Sequence, residues 1–322
     1  MLSALAACLL AGFALTLMRG QSFTPPLMVL RILGGQDLPG ATFTVLELRL
    51  PRAVISLLSG FCFGLGGVAF QTMLRNPLAS PDIIGISAGA STAAVFAIVV
   101  LSLSGPAVSV IAVLAALGVA LLIYFLSWRQ GVAGARLILV GIGISAMLQS
   151  VTAYLLTQAP TWTLQEALRW MAGSVNGAQL GEAAPLLAAL GVFGGLLLGH
   201  GRDLEALRMG DDLAAGLGVR LGVVRVVIIL SAVGLVAFAT AASGPIAFVA
   251  FLSGPIAARL IGRTDSLLIP AALVGAALVL FADYAGQFLL PARYPVGIVT
   301  GVLGAPYLVW LIIRDNRTGG AL

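Results

Sequence analysis

The sequence predicts an all-α membrane protein that crosses the bilayer about ten times within a single domain, residues 1–322. Hydrophobic residues make up 60% of the chain and charged residues only 9%. A soluble domain of this length could not bury so much apolar surface. The 40 glycines also suit membrane helices, whose backbones approach closely where side chains are small.

Ten apolar runs follow one another along the chain, each near the length of about 17–25 residues that spans a hydrocarbon layer. The first has the length and the Ala and Leu content of a signal peptide, but it lacks the basic segment that begins one, so we expect a retained helix. Ser-Gly-Pro at 243–245 and again at 253–255 predicts a short or broken helix. The runs cover residues 2–18, 53–74, 83–103, 106–127, 137–158, 183–200, 221–242, 245–262, 266–290 and 295–313.

An even number of spans places both termini on one side, and the arginines decide which side. With cytoplasmic termini, 11 of the 17 arginines lie in inner loops and span ends and six in outer ones. Because positive residues concentrate on the cytoplasmic side, both termini are predicted to lie there. The inner arginines are Arg75, Arg129, Arg136, Arg202, Arg208, Arg220, Arg225, Arg259, Arg263, Arg314 and Arg317, and the outer ones are Arg19, Arg31, Arg49, Arg52, Arg169 and Arg293.

Several classes of chemistry are excluded by residue types that are missing or occur once. All 17 basic residues are arginine, so the chain has neither the lysine of a P-loop nor one for Schiff-base catalysis. His200 is the single histidine, which excludes an HExxH zinc site. Cys8 and Cys62 lie in apolar runs and are expected as small buried residues. We predict no catalytic residue, metal site or cofactor, and any nucleotide hydrolysis must belong to another chain.

The segment 202–220 is the most polar part of the chain, with seven charged residues in 19 positions. It cannot lie in lipid, and the arginine distribution places it in the cytoplasm. Its small, helix-favouring residues predict a docking surface for another protein in preference to a flexible linker.

One acidic residue, Asp283, lies well inside a predicted span. An acid at that depth is a candidate for proton or cation coupling, so a secondary carrier is an alternative function. No other predicted span offers an acid or a base as its partner. We therefore expect Asp283 to hydrogen-bond to backbone or to neighbours such as Tyr284 near a water-accessible interface.

The sequence Arg49-Leu50-Pro51-Arg52 places two guanidinium groups at the outer end of the second span. They form a candidate patch for an anion or a carboxylate, which Arg293 would extend. The alternative is that these arginines anchor helix ends in the headgroup layer.

Glycine pairs four residues apart recur at 60/64, 85/89, 191/195 and 297/301. Each pair would place a flat stripe on one helix face. Close helix packing is the simpler interpretation, and a lining for a substrate path is the alternative.

The sequence RNPLASPDIIGISAGAS, residues 75–91, closely resembles the permease subunits of ABC importers for iron-siderophore complexes and cobalamin. Further blocks of resemblance occur in the order expected for that family. They are RLPR (49–52), RLILVGIGISA (136–146), RWMAGSV (169–175), ALRMGDDLAAGLGV (206–219), SGPIAFVAFLSGPIAARLIG (243–262) and YPVGIVTGVLGAPYLVWLI (294–312).

The resemblance implies that two such subunits enclose one path, so that this chain is half of a dimeric translocation pore. It also implies that 206–219, within the polar segment 202–220, forms two short coupling helices that enter a cleft on a separate ATPase subunit. Asp211 and Asp212 are expected to cap the second of these helices or to meet basic groups on the ATPase. The residues assigned to ATPase coupling are Ala206, Leu207, Met209, Gly210, Asp211, Ala214, Leu217 and Gly218.

Two further sites are implied by the same resemblance. Arg49 and Arg52 match positions that meet acidic residues of an external substrate-binding protein, either periplasmic or lipid-anchored, and Arg293 matches less closely. The family's inner gate lies in the loop before the fifth span, which here is Gly134, Ala135 and Arg136.

One departure from the family pattern bears on the substrate. Many members carry Pro-His before Ile-Ala-Arg, whereas this chain reads GPIAAR at 254–259. The variant resembles the siderophore branch more than the cobalamin branch, so the implied function is import of ferric siderophores through the inner membrane, with haem or cobalamin as alternative substrates. The implied partners are ATPase subunits, a binding protein and a second permease, identical or related; no nucleic acid is expected.

Overall fold

A computed structural model describes residues 1–20, 22–82, 85–127, 134–262 and 266–317 of the chain. Within these ranges the regular elements are helical, and the extended pairing present is an isolated bridge between Arg19 and Phe23. The predicted all-α class is confirmed.

The α-helices differ widely in length, from five to 25 residues. In chain order they are α1 (Leu2–Met18), α2 (Pro26–Leu33), α3 (Leu50–Leu74), α4 (Ile86–Val99), α5 (Pro106–Ser127), α6 (Gly134–Thr157), α7 (Thr161–Met171), α8 (Ala183–Ala189), α9 (Gly195–Gly199), α10 (Gly201–Arg208), α11 (Asp211–Gly216), α12 (Leu221–Ser243), α13 (Val249–Ile261), α14 (Leu268–Phe288) and α15 (Val296–Arg317). A π-helical turn, Thr44–Arg49, leads into α3. A 3-10 turn, Leu180–Glu182, precedes α8, and a π-helical stretch, Leu190–Gly194, joins α8 to α9.

The described residues contain six helical stretches that are long and apolar enough to cross a membrane: Thr44–Leu74, Pro106–Ser127, Arg136–Thr157, Leu180–Gly199, Leu221–Ser243 and Leu268–Phe288. Four shorter apolar helices accompany them: Leu2–Met18, Ile86–Val99, Val249–Ile261 and Val296–Leu311. Each of these stretches overlaps one of the ten apolar runs in the sequence, so the chain is a polytopic membrane protein as predicted.

Helix α3 lies at the centre of the bundle and packs against α12, α13 and α14. Its 25 residues extend for about 37 Å, enough to reach from one face of the hydrocarbon layer to the other. Gly60 and Gly64 allow α14 to approach closely, because a methyl group on either would collide with the backbone of Ala271, Gly275 or Ala276. The packing interpretation therefore holds for this glycine pair.

Two other expectations about small residues hold only in part. At Gly191 and Gly195 an added methyl group would meet no atom within 4 Å, so helix packing within the chain does not account for that pair. Cys62 is fully buried, as expected, but Cys8 is exposed, because α1 packs mainly against α14 and turns its other faces outward.

Helix α13 continues through Pro255 because a residue of α3 replaces the missing hydrogen bond. Pro255 has no N–H, which leaves the carbonyl of Phe251 without its helical donor. Gln71 supplies one: its Nε2 donates to the Phe251 carbonyl at 2.9 Å in a buried contact. Gly254 makes room, since a methyl group there would collide with Gln71 Oε1. The second Ser-Gly-Pro sequence therefore lies inside a helix that continues through its proline.

The first Ser-Gly-Pro sequence does end a helix. Helix α12 ends at Ser243, and Gly244 adopts a φ of +68°, which favours glycine. Phe248, directly before α13, has a φ of +66°, a left-handed conformation unusual for an aromatic residue. Helix α13 is therefore only 13 residues long, which agrees with the predicted short helix.

Two helices outside the spans, α2 and α7, were not expected from the sequence. Both helices start at a proline: Pro26 is the first residue of α2, and Pro160 directly precedes α7. The fixed φ of proline favours a helix start. Both are too short to span a membrane, at eight and 11 residues, so a search for membrane-length runs does not detect them.

Candidate functional site

The candidate functional residues lie at two opposite ends of the bundle. At the first, called the Arg52 end, Arg52, Arg169 and Arg293 border one cavity. At the second, called the hairpin end, lie α10, α11 and Arg75. Helix α3 joins the two, since Arg52 lies in its first turn and Arg75 directly follows its last residue. These arginines are therefore divided between the ends as the sequence predicts.

Arg49 is buried and bonds within the chain, and its assignment to binding-protein docking stays a prediction. Its side chain is only 8% exposed. Its Nη1 donates to the carbonyls of Leu17 and Met18 at the end of α1, at 2.9 and 3.1 Å. The same guanidinium also donates to the hydroxyl of Thr24 and to the carbonyl and hydroxyl of Ser22. A guanidinium at this position stabilises the carbonyl end of α1, where the helix leaves acceptors without partners.

Arg52 forms a bidentate ion pair with Asp283. Its Nε and Nη2 donate to the two carboxylate oxygens at 2.8 and 2.7 Å, and Asp283 is 2% exposed at its side chain. Gln287 also donates to the carboxylate, and Asn176 accepts from Arg52 Nη1. The hydrogen bond expected from a neighbour such as Tyr284 is made by Gln287, whereas the ion pair with Arg52 was not expected. Arg52, placed by the sequence outside the membrane core, reaches the acid from the first turn of α3.

Arg293 is the one predicted docking residue that lies exposed at the Arg52 end. It borders a cavity of about 700 Å³. Trp162, Glu166 and Arg169 of α7 line the same cavity, and all three are exposed. Sequence reasoning missed the α7 residues because α7 lies between spans; their signal was the Trp-rich, charged sequence TWTLQEALRW, unlike the apolar runs on either side.

Three of the sequence blocks meet next to this cavity and hold each other by backbone contacts. Ser174 N donates to the Ser243 carbonyl at 2.6 Å, and Gly297 N donates to the Gly173 carbonyl at 3.0 Å. A methyl group on Gly244 would collide with the carbonyl of Trp170. RWMAGSV, SGPIAF and YPVG therefore have a packing role: they fix α7, α12 and α15 relative to one another.

The hairpin end consists of two short helices, as predicted, but the first begins earlier than expected, at Gly201. Gly210 joins them with a φ of +115°, and Gly218 follows α11 with a φ of +87°, conformations that favour glycine. Helix α10 packs against α3, and α11 packs against α10 and α12. The hairpin is therefore attached to the ends of two spans.

The predicted coupling residues divide into exposed and buried ones. Met209 and Leu217 are 54% and 66% exposed, and Leu213, which the sequence prediction omitted, is 60% exposed. Ala206, Leu207 and Ala214 are buried within the chain, where they attach the hairpin to the bundle, and their predicted contact with the ATPase stays a prediction. The spacing of four between Leu213 and Leu217 was a visible signal for one apolar helix face.

Asp211 connects the hairpin to the spans through ion pairs and does not cap α11. The N-cap position is Gly210, and no side chain caps the helix. The Asp211 carboxylate accepts from Arg225 of α12 at 2.6 Å and lies 3.7 Å from Arg75 Nη2. Asp212 is exposed in the same turn.

The predicted inner gate, Gly134 to Arg136, lies in the first turn of α6 and not in a loop. The loop itself, residues 128–133, lies outside the described residues. The Arg136 side chain is exposed, and Leu137 next to it is buried. A role for these residues as a gate stays a prediction.

The loop after α3 is folded by its own polar side chains. Arg75 adopts a φ of +52°, and Leu78 N donates to Asn76 Oδ1 at 2.8 Å. Beyond the turn, the hydroxyls of Ser80 and Ser87 both donate to the Asp82 carboxylate. The block RNPLASPD therefore contains side-chain acceptors that replace helical hydrogen bonds where α3 ends.

Comparison with known proteins places these features in a family. Residues 8–314 match the FecCD transport family. The ferric enterobactin transport system permease protein FepG of Escherichia coli (strain K12) is 38% identical over 321 residues, 97% of this chain and 94% of FepG. The achromobactin transport system permease protein CbrC of Dickeya dadantii (strain 3937) is 39% identical over 303 residues, 92% of this chain and 86% of CbrC.

A solved structure has the same fold over nearly the whole chain. It is described as an inward-facing conformation of a metal-chelate type ABC transporter, and it matches with a TM-score of 0.84 at 25% identity. The match covers 97% of this chain and 98% of that one. The likeness therefore includes both the Arg52 end and the hairpin end.

Proposed function

Because the chain belongs to the FecCD transport family, we propose that it is the permease subunit of an ATP-driven importer that moves ferric siderophore complexes across the cytoplasmic membrane. Substrate would arrive from an external binding protein, and energy would come from a separate ATPase subunit. The chain itself has no lysine for a P-loop, so it needs such a partner to use ATP.

The observation that carries this proposal is the α11 face, the exposed apolar side chains of Met209, Leu213 and Leu217 on α11 and next to its two ends. Met209, Leu213 and Leu217 are each more than half exposed at the end of the bundle that carries the most polar sequence. Large apolar side chains clustered outside the membrane-spanning helices are a mark of a protein interface. We infer that this face enters the ATPase subunit.

The contacts behind this face would transmit movement of the ATPase to the spans. Asp211 pairs with Arg225 on α12 and lies near Arg75 at the end of α3. Leu204 and Leu207 of α10 are buried against the bundle. A displacement of the hairpin would therefore tilt α3 and α12 as rigid bodies, which is the kind of motion that alternates access across a membrane.

A second permease subunit, identical or related, would complete the path. Helix α6 packs mainly against α4 and α5. Only 17% of its most apolar 18-residue stretch is buried within the chain. Much of α6 is therefore free to face a partner subunit, a shared substrate path or lipid.

The proposed orientation places the hairpin end and both termini in the cytoplasm. It rests on the excess of arginine in the loops and span ends on that side. The Arg52 end would then face the binding protein, with Arg293 as the docking residue on the permease side. Arg293 borders a cavity that also carries Glu166 and Arg169, so the surface offers both charges to a partner.

The structure weakens the alternative of a carrier coupled through Asp283. A coupling acid must exchange its proton or cation, but this carboxylate is occupied by two donors from Arg52 and one from Gln287. Asp283 therefore serves as a structural partner of Arg52.

Transport in proteoliposomes tests the proposal. The chain should be reconstituted with its second permease and ATPase subunit, with the ATPase and ATP in the vesicle lumen and the binding protein outside. Uptake of a ferric siderophore into the lumen is then measured. Uptake should require ATP and the binding protein and should persist when a protonophore is added. Uptake that continues without the ATPase and collapses with the proton gradient would contradict it. Haem and cobalamin in the same assay distinguish the alternative substrates.

A further inference from the structure

A second cavity lies at the hairpin end, separate from the α11 face. It has a volume of about 290 Å³ and lies where α3, α13 and α15 meet the end of α10. Its polar lining includes Gln71, Thr72 and Asn76, and its apolar lining includes Val68 and Leu311. Neither the proposed docking face nor the Arg52 end uses these residues.

Three arginines, Arg75, Arg208 and Arg259, line this cavity, and no acidic residue is among the described residues that line it. Arg208 is paired with Glu205 at 2.6 Å and Arg75 lies 3.7 Å from Asp211, but both carboxylates lie outside the lining. The cavity wall therefore has a net positive charge and attracts an anion.

Arg259 is oriented by aromatic residues of α15. Its Nη1 donates to the Tyr307 hydroxyl at 2.9 Å, and its guanidinium carbon lies 4.5 Å from the centre of the Trp310 ring and 5.5 Å from that of Tyr307. Stacking of this kind fixes the plane of a guanidinium while leaving other N–H groups free to donate. A fixed, planar set of donors suits a phosphate, which guanidinium groups bind through paired hydrogen bonds.

The position of the cavity indicates where the phosphate comes from. Helix α3 ends at Leu74, α13 ends at Ile261 and α14 begins at Leu268, so the cavity lies at the level where spans leave the membrane. Val68, Leu267 and Leu311 give it an apolar side. Basic pockets between spans on the cytoplasmic side bind anionic lipid headgroups.

We propose that the cavity lined by Arg75, Arg208 and Arg259 binds a phosphate group, that of an anionic phospholipid in the inner leaflet. The lipid phosphate would bridge α13, through Arg259, to the end of α3 and to α10, through Arg75 and Arg208. It would thereby hold the coupling hairpin against the spans to which it must transmit force. This role goes beyond the proposed function, and the binding itself does not depend on which substrate is carried.

Native mass spectrometry of the purified full chain in nanodiscs tests the binding. One variant is Arg259→Gln; the matched control is Arg202→Gln, because Arg202 is exposed on α10 but does not line the cavity. With phosphatidylglycerol in a phosphatidylcholine background, the wild type and the control should retain a bound phosphatidylglycerol. Occupancy in Arg259→Gln should fall about tenfold, the effect of losing a hydrogen bond to a charged group. Equal occupancy in all three would overturn the proposal. If Arg259→Gln does not elute as a folded protein, Arg208→Gln, whose side chain is partly exposed, carries the same test.

A second arm separates the possible sources of phosphate. Wild type in pure phosphatidylcholine nanodiscs should gain little thermal stability from inorganic phosphate or glycerol 3-phosphate, whereas adding phosphatidylglycerol should raise its melting temperature. Equal protection by a soluble phosphate would overturn the lipid assignment. Displacement of the bound phosphatidylglycerol by the ATPase subunit would also overturn it, because the cavity would then belong to the protein interface.

The consequence for coupling is measured in the assembled importer. ATPase stimulation by the substrate-loaded binding protein should rise in phosphatidylglycerol relative to phosphatidylcholine, and the rise should be absent in Arg259→Gln. A variant that retains stimulation in both lipids would show that the bound lipid has no role in coupling. Loss of bound lipid in Arg259→Gln together with normal ferric siderophore transport would overturn the coupling role of the lipid while leaving the proposed function intact.

Discussion

At the Arg52 end three charged side chains, Arg49, Arg52 and Asp283, turn inward and bond to the chain itself. At the hairpin end three apolar side chains, Met209, Leu213 and Leu217, turn outward. Arg49 is 8% exposed and Asp283 is 1% exposed, while Leu213 and Leu217 are 60% and 66% exposed. Both ends thus reverse the usual arrangement of polar surface and apolar interior. The buried charged residues of the Arg52 end stabilise the fold, whereas the exposed apolar residues of the hairpin end are proposed to bind a partner protein.

The comparison shows why charge alone is a poor guide to a docking site in a membrane protein. An arginine near a span end can satisfy the carbonyls at the end of another helix, as Arg49 does, or pair with a buried acid, as Arg52 does. Either use occupies its N–H groups within the chain. An apolar residue outside the spans has no such internal use unless it packs, so its exposure is more informative.

The largest expected effect is at the ion pair of the Arg52 end. Asp283→Ala should lower the free energy of unfolding by about 3–5 kcal/mol, because it leaves a largely buried guanidinium without its carboxylate. Arg52→Met combined with Asp283→Leu should cost less than Asp283→Ala alone. Thermal unfolding in detergent measures both. If the double variant is less stable than Asp283→Ala, the ion pair contributes more stabilising free energy than its desolvation costs.

A smaller loss is expected for Arg49→Met, about 2–3 kcal/mol, because several carbonyl and hydroxyl acceptors lose their donor. Arg293→Ala is the matched control: the side chain is exposed, and its removal should change the free energy of unfolding by less than about 0.5 kcal/mol. Arg293→Ala should instead weaken binding-protein association. The reverse pattern, a stable Arg49 variant that no longer associates with the binding protein, would identify Arg49 as a docking residue.

A third test concerns the contact between Gln71 of α3 and Phe251 of α13. Gln71→Leu should cost about 1–2 kcal/mol, since the Phe251 carbonyl then has no donor. Adding Pro255→Ala should recover part of that loss, because residue 255 then supplies a backbone N–H four residues after the carbonyl. Thermal unfolding of the single and double variants measures the coupling. Additive effects would show that Gln71 does not replace the missing helical bond.

The smallest effect on folding is expected at the hairpin end. Leu217→Asp should change the free energy of unfolding by less than about 0.5 kcal/mol, because the side chain is exposed outside the spans. The ATPase subunit should nevertheless no longer co-purify with the permease. Leu217→Met, which keeps an apolar side chain, should retain it. An ATPase that co-purifies with Leu217→Asp in normal yield would exclude Leu217 from the interface.

The spans were predictable from the sequence because an apolar run of membrane length has few other uses. Even α13 was expected as a short helix, although its passage through Pro255 was not, since that depends on Gln71 from another span. The partner of Asp283 was also unpredictable: Arg52 is 231 residues away, and only the packing of α3 on α14 brings them together.

The docking face was predictable in place but not in detail. The polar segment and its glycines indicated two short helices, but which residues face outward depends on how α10 and α11 pack on the ends of α3 and α12. That packing buries Ala206, Leu207 and Ala214 and exposes Leu213. Small residues in such a segment are compatible both with packing against the spans and with contact to a partner protein. The sequence alone therefore could not separate the buried residues from the exposed ones.

Protection of a single cysteine from labelling tests the central claim most directly, that the α11 face meets the ATPase on the cytoplasmic side. In a chain with Cys8→Ser and Cys62→Ala, Leu217→Cys should react with a membrane-impermeant maleimide in inside-out vesicles and should be protected when the ATPase subunit is bound. Ala214→Cys, at a fully buried position, should stay unlabelled in both conditions. Labelling of Leu217→Cys that is unchanged by the bound ATPase, or that occurs only from the opposite side of the membrane, would contradict the account.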